Sequence, residues 1–148
     1  MIARTAKELE KIGAAFAKKL SGGDIVALQG ELGAGKTTFV RGVANALGIR
    51  KRIPSPTFTI MNVYKLPRAA TKKFHAQRLV HADTYRLEKP EEIFTLGLDE
   101  YLTDGESIVI IEWAERVSRH LSGHNQLAGH KVKKIAIKIT KNGRRINI

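Results

Sequence analysis

Gly30-Glu31-Leu32-Gly33-Ala34-Gly35-Lys36-Thr37 fills every position of the pattern G-x-x-x-x-G-K-[ST], and the residues on either side supply the setting that the pattern needs. Upstream, Ile25-Val26-Ala27-Leu28 is a short apolar run of the kind found in a buried strand. Downstream, Phe39, Val40, Val43 and Leu47 recur at helical spacing over residues 36 to 47, and Gly48 stands where a helix would end. Strand, glycine-rich loop and helix in that order predict a nest in which successive N–H groups turn inward, with the positive end of a helix dipole behind them. A nest of this kind holds phosphate, so a nucleoside triphosphate is the expected ligand. Every residue from Gly30 through Glu31, Leu32, Gly33, Ala34, Gly35, Lys36 and Thr37 is a candidate nucleotide contact. Lys36 is expected to place its charge on the β- and γ-phosphates, and the Thr37 hydroxyl to ligate a Mg²⁺ that bridges them. Thr38 has two readings, an α-phosphate contact or simply the start of the helix.

The 148 residues fit one domain, 1–148, long enough to bury a core without disulfides or structural metal. The absence of cysteine excludes thiol catalysis and Cys-based zinc sites, and suits a reducing cytoplasm, the expected location. Residues 3 to 20 carry Leu9, Ile12, Phe16 and Leu20 at helical period, and Thr5-x-x-Glu8 reads as a capping box. That segment is therefore an amphipathic helix rather than a signal peptide, and no stretch is apolar for long enough to span a membrane.

The net charge of +12 is distributed in blocks. Residues 41 to 80 hold nine Lys/Arg and no acid, residues 81 to 115 hold ten acids and two bases, and residues 116 to 148 hold nine bases and no acid. Two basic zones fit either solvated surface or an electrostatic footprint for a polyanion.

Beyond the first helix pair, Pro54 and Pro56 bracket Ser55 and open an extended stretch running to Tyr64. Residues 66 to 78 lack clean periodicity and read as a basic loop before a short strand, Leu79 to Asp83. Pro90, Glu91 and Glu92 suit a helical first turn. Ser107 to Ile111 is an apolar strand that runs directly into Glu112. Near the end, Ile135, Ile137 and Ile139 alternate, and Asn142-Gly143 supplies a two-residue turn. That turn would set Ile139 opposite Ile146 and Ile137 opposite Ile148.

Two acids stand at strand ends. Glu112 follows four apolar strand residues, the place from which a phosphate-loop NTPase reaches Mg²⁺, although an acid there also suits the start of a helix. Asp83, in His81-Ala82-Asp83-Thr84-Tyr85-Arg86-Leu87, either orients water or the metal's water shell, or closes its strand with an Asx turn. His120 and His124 have a helical metal spacing, but Gly123 interrupts it and no third ligand is evident.

The segments GELGAGKTTF (30 to 39), SPTF (55 to 58), HADTYRL (81 to 87), GLDEYL (97 to 102) and IIEWAERV (110 to 117) together resemble the TsaE family of small bacterial ATPases, which act in making threonylcarbamoyladenosine in tRNA. The likeness covers roughly the middle two-thirds of the chain. Its specific part is the combination of SPTF, H-x-D-x-Y-R-L and I-E-W. The resemblance implies Lys36 and Thr37 at phosphate and Mg²⁺, Thr57 in a switch-like segment near the γ-phosphate, and Asp83 and Glu112 as essential acids. Slow intrinsic ATP hydrolysis is expected because the sequence offers no clear arginine finger, Arg86 being the nearest candidate. The resemblance further implies stimulation by the partner proteins TsaB and TsaD, with tRNA reached through that complex. The expected fold is α/β: a P-loop NTPase-like three-layer domain with a central, mainly parallel sheet and a C-terminal β-hairpin. ATP is favoured over GTP because no N/T-K-x-D guanine-reading segment is present. Two other functions use the same features, a small-molecule kinase with residues 66 to 78 as lid, and a nucleic-acid-binding module regulated by nucleotide.

Overall fold

In the computed structural model, which describes residues 1–56, 59–123 and 132–148, seven strands form one sheet. In chain order they are β1 (Ile2–Ala3), β2 (Ile25–Gln29), β3 (Met61–Lys65), β4 (Arg78–Asp83), β5 (Ser107–Glu112), β6 (Val132–Thr140) and β7 (Gly143–Asn147). Their order across the sheet is β1-β7-β6-β2-β5-β4-β3. The four central strands β6, β2, β5 and β4 are parallel; β3 on one edge and β7 toward the other run opposite to them, and β1, antiparallel to β7, runs with the central four. The sheet is thus mainly parallel, as expected.

Because side chains alternate along a strand, the apolar runs of β2 and β5 supply two cores at once. Val26, Leu28, Ile108 and Ile110 face one side, and Ile25, Ala27, Val109 and Ile111 face the other. Over the first face lie α1 (Ala6–Ala17), α2 (Lys36–Ala46) and α3 (Arg68–Phe74). Over the second lie a helical turn Phe94–Leu98 kinked at Gly97, α4 (Asp99–Thr103), a tight turn Ala114–Val117 and α5 (Ser118–Gly123). This is the three-layer arrangement that a central sheet with two apolar faces requires.

The first helix begins as its sequence predicts. Thr5 Oγ1 accepts the Glu8 N–H at 3.1 Å, while the Glu8 carboxylate reaches back to the Arg4 N–H at 2.7 Å, one residue short of the usual reciprocal partner. α1 and α2 then cross with backbones nearly touching: a Cβ on Gly42 would lie 2.0 Å from the Glu10 carbonyl oxygen. Phe16 and Phe39 fill the crossing, ring centroids 5.7 Å apart.

Two expectations are corrected. Residues 66 to 78 are not a loop, because Arg68–Phe74 forms α3 after Pro67, burying Phe74 and Leu66 against the first core. Its apolar positions, Leu66, Ala70 and Phe74, do fall at helical spacing, but three small or isolated residues among so many charges give a weak periodic signal. The terminal hairpin exists, but its pairing is shifted by two residues: Ile137 lies opposite Ile146, Ile139 opposite Arg144, and Thr140 opposite Gly143. A shift of two keeps every side chain on its face. It seats Ile146 beside Ile137 in the core and leaves Ile139 half exposed across from Arg144. β1, which pairs along β7, has no counterpart in the sequence reading.

Candidate functional site

The parallel registers gather the predicted residues at the C-terminal edge of the sheet. Leu28 pairs with Glu112, and Asp83 with Glu112, so the phosphate loop and both acids emerge at one level. This is where open α/β sheets bind ligands.

The loop carries positive φ at Gly30 (151°), Gly33 (77°) and Gly35 (100°), and Gly35 stands at the N-cap of α2. No side chain caps that helix and its first turn holds no acid, so its N-terminal N–H groups face the cavity uncapped. A Cβ at Gly35 would meet Leu9 Cδ2 at 2.5 Å and Arg144 Nε at 3.5 Å, which shows how closely α1 and β7 back the loop.

Lys36 is 5 % exposed. Its ammonium donates to the carbonyls of Gly30 (2.6 Å) and Glu31 (3.1 Å) and lies 3.8 Å from the centroid of the Trp113 ring. Burial pulls its pKa below the ordinary 10.5, opposed chiefly by the negative charge of Glu112. Beside it the Thr37 hydroxyl donates to Glu112 Oε1 at 2.9 Å, and His81 Nε2 lies 2.8 Å from the same oxygen. Glu112 and His81 are both buried, and His81 Nδ1 has no hydrogen-bond partner among the described residues.

Asp83 is buried and lines the same cavity. Its Oδ1 accepts the Tyr85 N–H at 2.8 Å, so the Asx turn is made, and made at the cavity wall. Strand β5 ends abruptly because Trp113 adopts a left-handed backbone (φ 58°), which folds its indole back to stack on Tyr85 with centroids 4.8 Å apart. The Arg116 guanidinium braces the turn, donating to the carbonyls of Thr84, Tyr85 and, at 2.7 Å, Leu87.

The cavity measures about 740 Å³. Leu32, Gly33, Gly35, Lys36, Thr37 and Thr38 line it from the loop and helix, Asp83 and Glu112 from the strand ends. Gly30, Glu31 and Ala34 shape the loop without lining the cavity; Ala34 is buried, and the two carbonyls of Gly30 and Glu31 hold Lys36. Thr57 lies outside the described residues, as does His124, so neither the switch-segment expectation nor the His120/His124 spacing has a geometry here.

Further residues wall the cavity. Pro54 and Ser55 enter from the segment before β3, and Tyr85 and Trp113 form an aromatic wall. Arg86, the nearest arginine by sequence, does line the cavity, and Arg144 joins it from the hairpin. Only the pairing of β7 reveals Arg144, since 108 positions separate it from Lys36 and no motif surrounds it. Helix α3, the segment that a kinase would need as a lid, contributes no residue to this cavity.

The donor set fits a small hard cation. The Thr37 hydroxyl and the Glu112 carboxylate bring two oxygen atoms to 2.9 Å of each other, and Mg²⁺ is commonly held by one or two such groups plus substrate phosphates.

Three comparisons bear on the chain as a whole. The family described as "Threonylcarbamoyl adenosine biosynthesis protein TsaE" matches residues 3–146. A Bacillus subtilis protein named tRNA threonylcarbamoyladenosine biosynthesis protein TsaE is 43% identical over 118 residues, which is 78% of this chain and 64% of that protein. The Treponema pallidum protein of the same name is 40% identical over 121 residues, covering 81% and 82% respectively. Among solved structures, that of Bacillus subtilis YdiB superposes with a TM-score of 0.72 at 30% identity, over 99% of this chain and 80% of the other.

Proposed function

The chain belongs to the TsaE family, and from that premise we propose that it is the Mg²⁺-dependent ATP-binding and ATP-hydrolysing component of the machinery that installs threonylcarbamoyladenosine at position 37 of tRNA. The observation that carries the reading is the convergence of Thr37 Oγ1 and Glu112 Oε1 beside Lys36, at the mouth of an uncapped helix.

Each side chain has a task within that reading. The N–H groups of the 30–37 loop and of the first turn of α2 receive the phosphates. Lys36 exchanges its two carbonyl partners for phosphate oxygens, leaving the Trp113 face as it does so. Thr37 and Glu112 would hold the metal, which when bound would supply neutralisation of the phosphate charge. His81 pins one oxygen of Glu112 and so fixes the direction of the other. Asp83, oriented by its own Asx turn, positions the attacking water. Arg116 ties the Asp83 turn to the segment after Glu112, so that the two acids move as a unit.

The site offers positioning and one lysine, and its two arginines come from the wall rather than from a built transition-state contact. Charge stabilisation by an arginine finger is worth about 10³ to 10⁵ in rate, so intrinsic turnover is slow and the TsaB–TsaD complex raises it. Phosphate release measured with and without purified TsaB and TsaD tests this. Stimulation with ATP-dependent co-elution is expected; equal rates with no co-elution would sink the partnership. A phosphorylated small molecule would instead identify a kinase.

A further inference from the structure

We propose that the face built by α1, the C-terminal end of α2 with residues 49 to 53, and α3 binds the phosphodiester backbone of RNA directly. The inference rests on the tRNA-modification reading above and adds a contact made by this chain itself.

Three adjoining grooves define the face. The largest, about 650 Å³, is lined by Arg50 and Lys73 among small apolar residues, Pro67 and the buried Phe74. A second shares Lys73, Phe74 and Ala46 with it and adds Lys11 and Lys18 from α1. A third shares Arg50 and adds Lys51 and Arg52. All six of these cations are exposed, and none forms an ion pair with a described residue. The lone carboxylate lining the grooves is Glu10, partly buried beside Arg41.

Lys73 lies over the Phe74 ring, but charge of one sign without carboxylate partners favours a polyanion, because each phosphate neutralised releases a condensed counterion. A protein partner would instead be anchored by large apolar or aromatic side chains at the centre of its footprint. The exposed large hydrophobics among the described residues are Met1, Ile2, Leu32, Val63, Tyr85, Leu96, Ile139 and Ile148, and none lines these grooves. The second basic zone, on β6 and β7, lacks this character: Lys133 is paired with Asp24, and Ile139 and Ile148 interrupt the charge.

The face is also separate from the nucleotide site. Lys36 and Ala46 mark opposite ends of α2, about 15 Å apart at 1.5 Å per residue. RNA and triphosphate can therefore be bound together, at the two ends of one helix.

The test uses the full chain, a fluorescently labelled unmodified tRNA transcript, and anisotropy over a salt series. The triple variant Lys18→Gln, Arg50→Gln, Lys73→Gln should weaken binding at least tenfold near 0.1 M salt. It should also flatten the log K against log[salt] slope by about 2, from roughly 0.7 to 0.9 per cation removed. A hairpin variant, Lys138→Gln, Lys141→Gln, Arg145→Gln, should bind much as the unaltered chain does. Equal losses in both variants would mean diffuse attraction by net charge and would overturn the proposal, as would unchanged binding by the first. No tRNA binding by the unaltered chain, with the first variant losing TsaB–TsaD instead, would make the face a protein contact and overturn it too. Mg-ATP binding measured on the same samples keeps the two readings apart. RNA binding without nucleotide binding would support this face while removing the ATPase; nucleotide binding without RNA binding would do the reverse.

Discussion

Glu112→Gln changes charge at the centre of the site while keeping its shape. In the native chain Oε1 accepts from the Thr37 hydroxyl at 2.9 Å and faces His81 Nε2 at 2.8 Å. The glutamine carbonyl can accept both bonds, so each falls from a charge-assisted to a neutral hydrogen bond, a loss of about 1 kcal/mol apiece. Relief of the desolvation carried by a buried carboxylate offsets part of this. The net destabilisation should stay under about 2 kcal/mol, a Tm shift of a few degrees at this chain length. Turnover should respond far more, because a neutral amide is a poor ligand for a hard cation: we expect a fall of at least 10²-fold, about 2.7 kcal/mol of barrier. Denaturant unfolding and phosphate release at saturating Mg-ATP measure the two effects separately. A folded variant turning over within threefold of the native rate would refute the metal role and leave Glu112 as a hydrogen-bonding residue. Failure to fold would show that its charge is structural, which the argument also forbids.

Asp83→Asn retains the acceptor for the Tyr85 N–H and so preserves the turn, but should cut phosphate release about 10²-fold; native turnover would confine Asp83 to its Asx turn. Because burial lowers the Lys36 pKa, its charged fraction begins to fall at a pH below that of a free lysine near 10.5. ATP affinity should accordingly decline as pH rises through the alkaline range below that value; a flat profile in the native chain would contradict it. Arg144→Ala should weaken ATP binding severalfold in calorimetry with little change in stability, since the residue abuts Gly35 at the cavity wall and is not part of the core; unchanged affinity would reduce it to a support for the loop.

What the sequence disclosed follows from how locally each feature is encoded. The loop, β2 and α2 are contiguous, and their glycines, apolar run and helical spacing each report the same structure. Asp83 and Glu112 were legible because each closes an apolar strand, and parallel pairing of β4 with β5 then brings them level. The α3 helix was missed because its buried set is only Leu66, Ala70 and Phe74 amid exposed cations. The hairpin register failed for a different reason: the Asn142-Gly143 signal competes with the burial of Ile146 against Ile137, and burial prevails, with Lys141 and Asn142 forming the turn. Arg144 at the phosphate loop, and the stacking of Tyr85 on Trp113, depend on contacts between distant segments that no local pattern records.

The proposed triphosphate at the 30–37 loop, with a metal at Thr37 and Glu112, is tested most directly by calorimetric titration of ATP into the native chain and Lys36→Ala, each with and without Mg²⁺. The native chain should show saturable binding that strengthens with Mg²⁺, and the folded variant should show none over the same range. Equal binding by both, or native affinity indifferent to Mg²⁺, would contradict it.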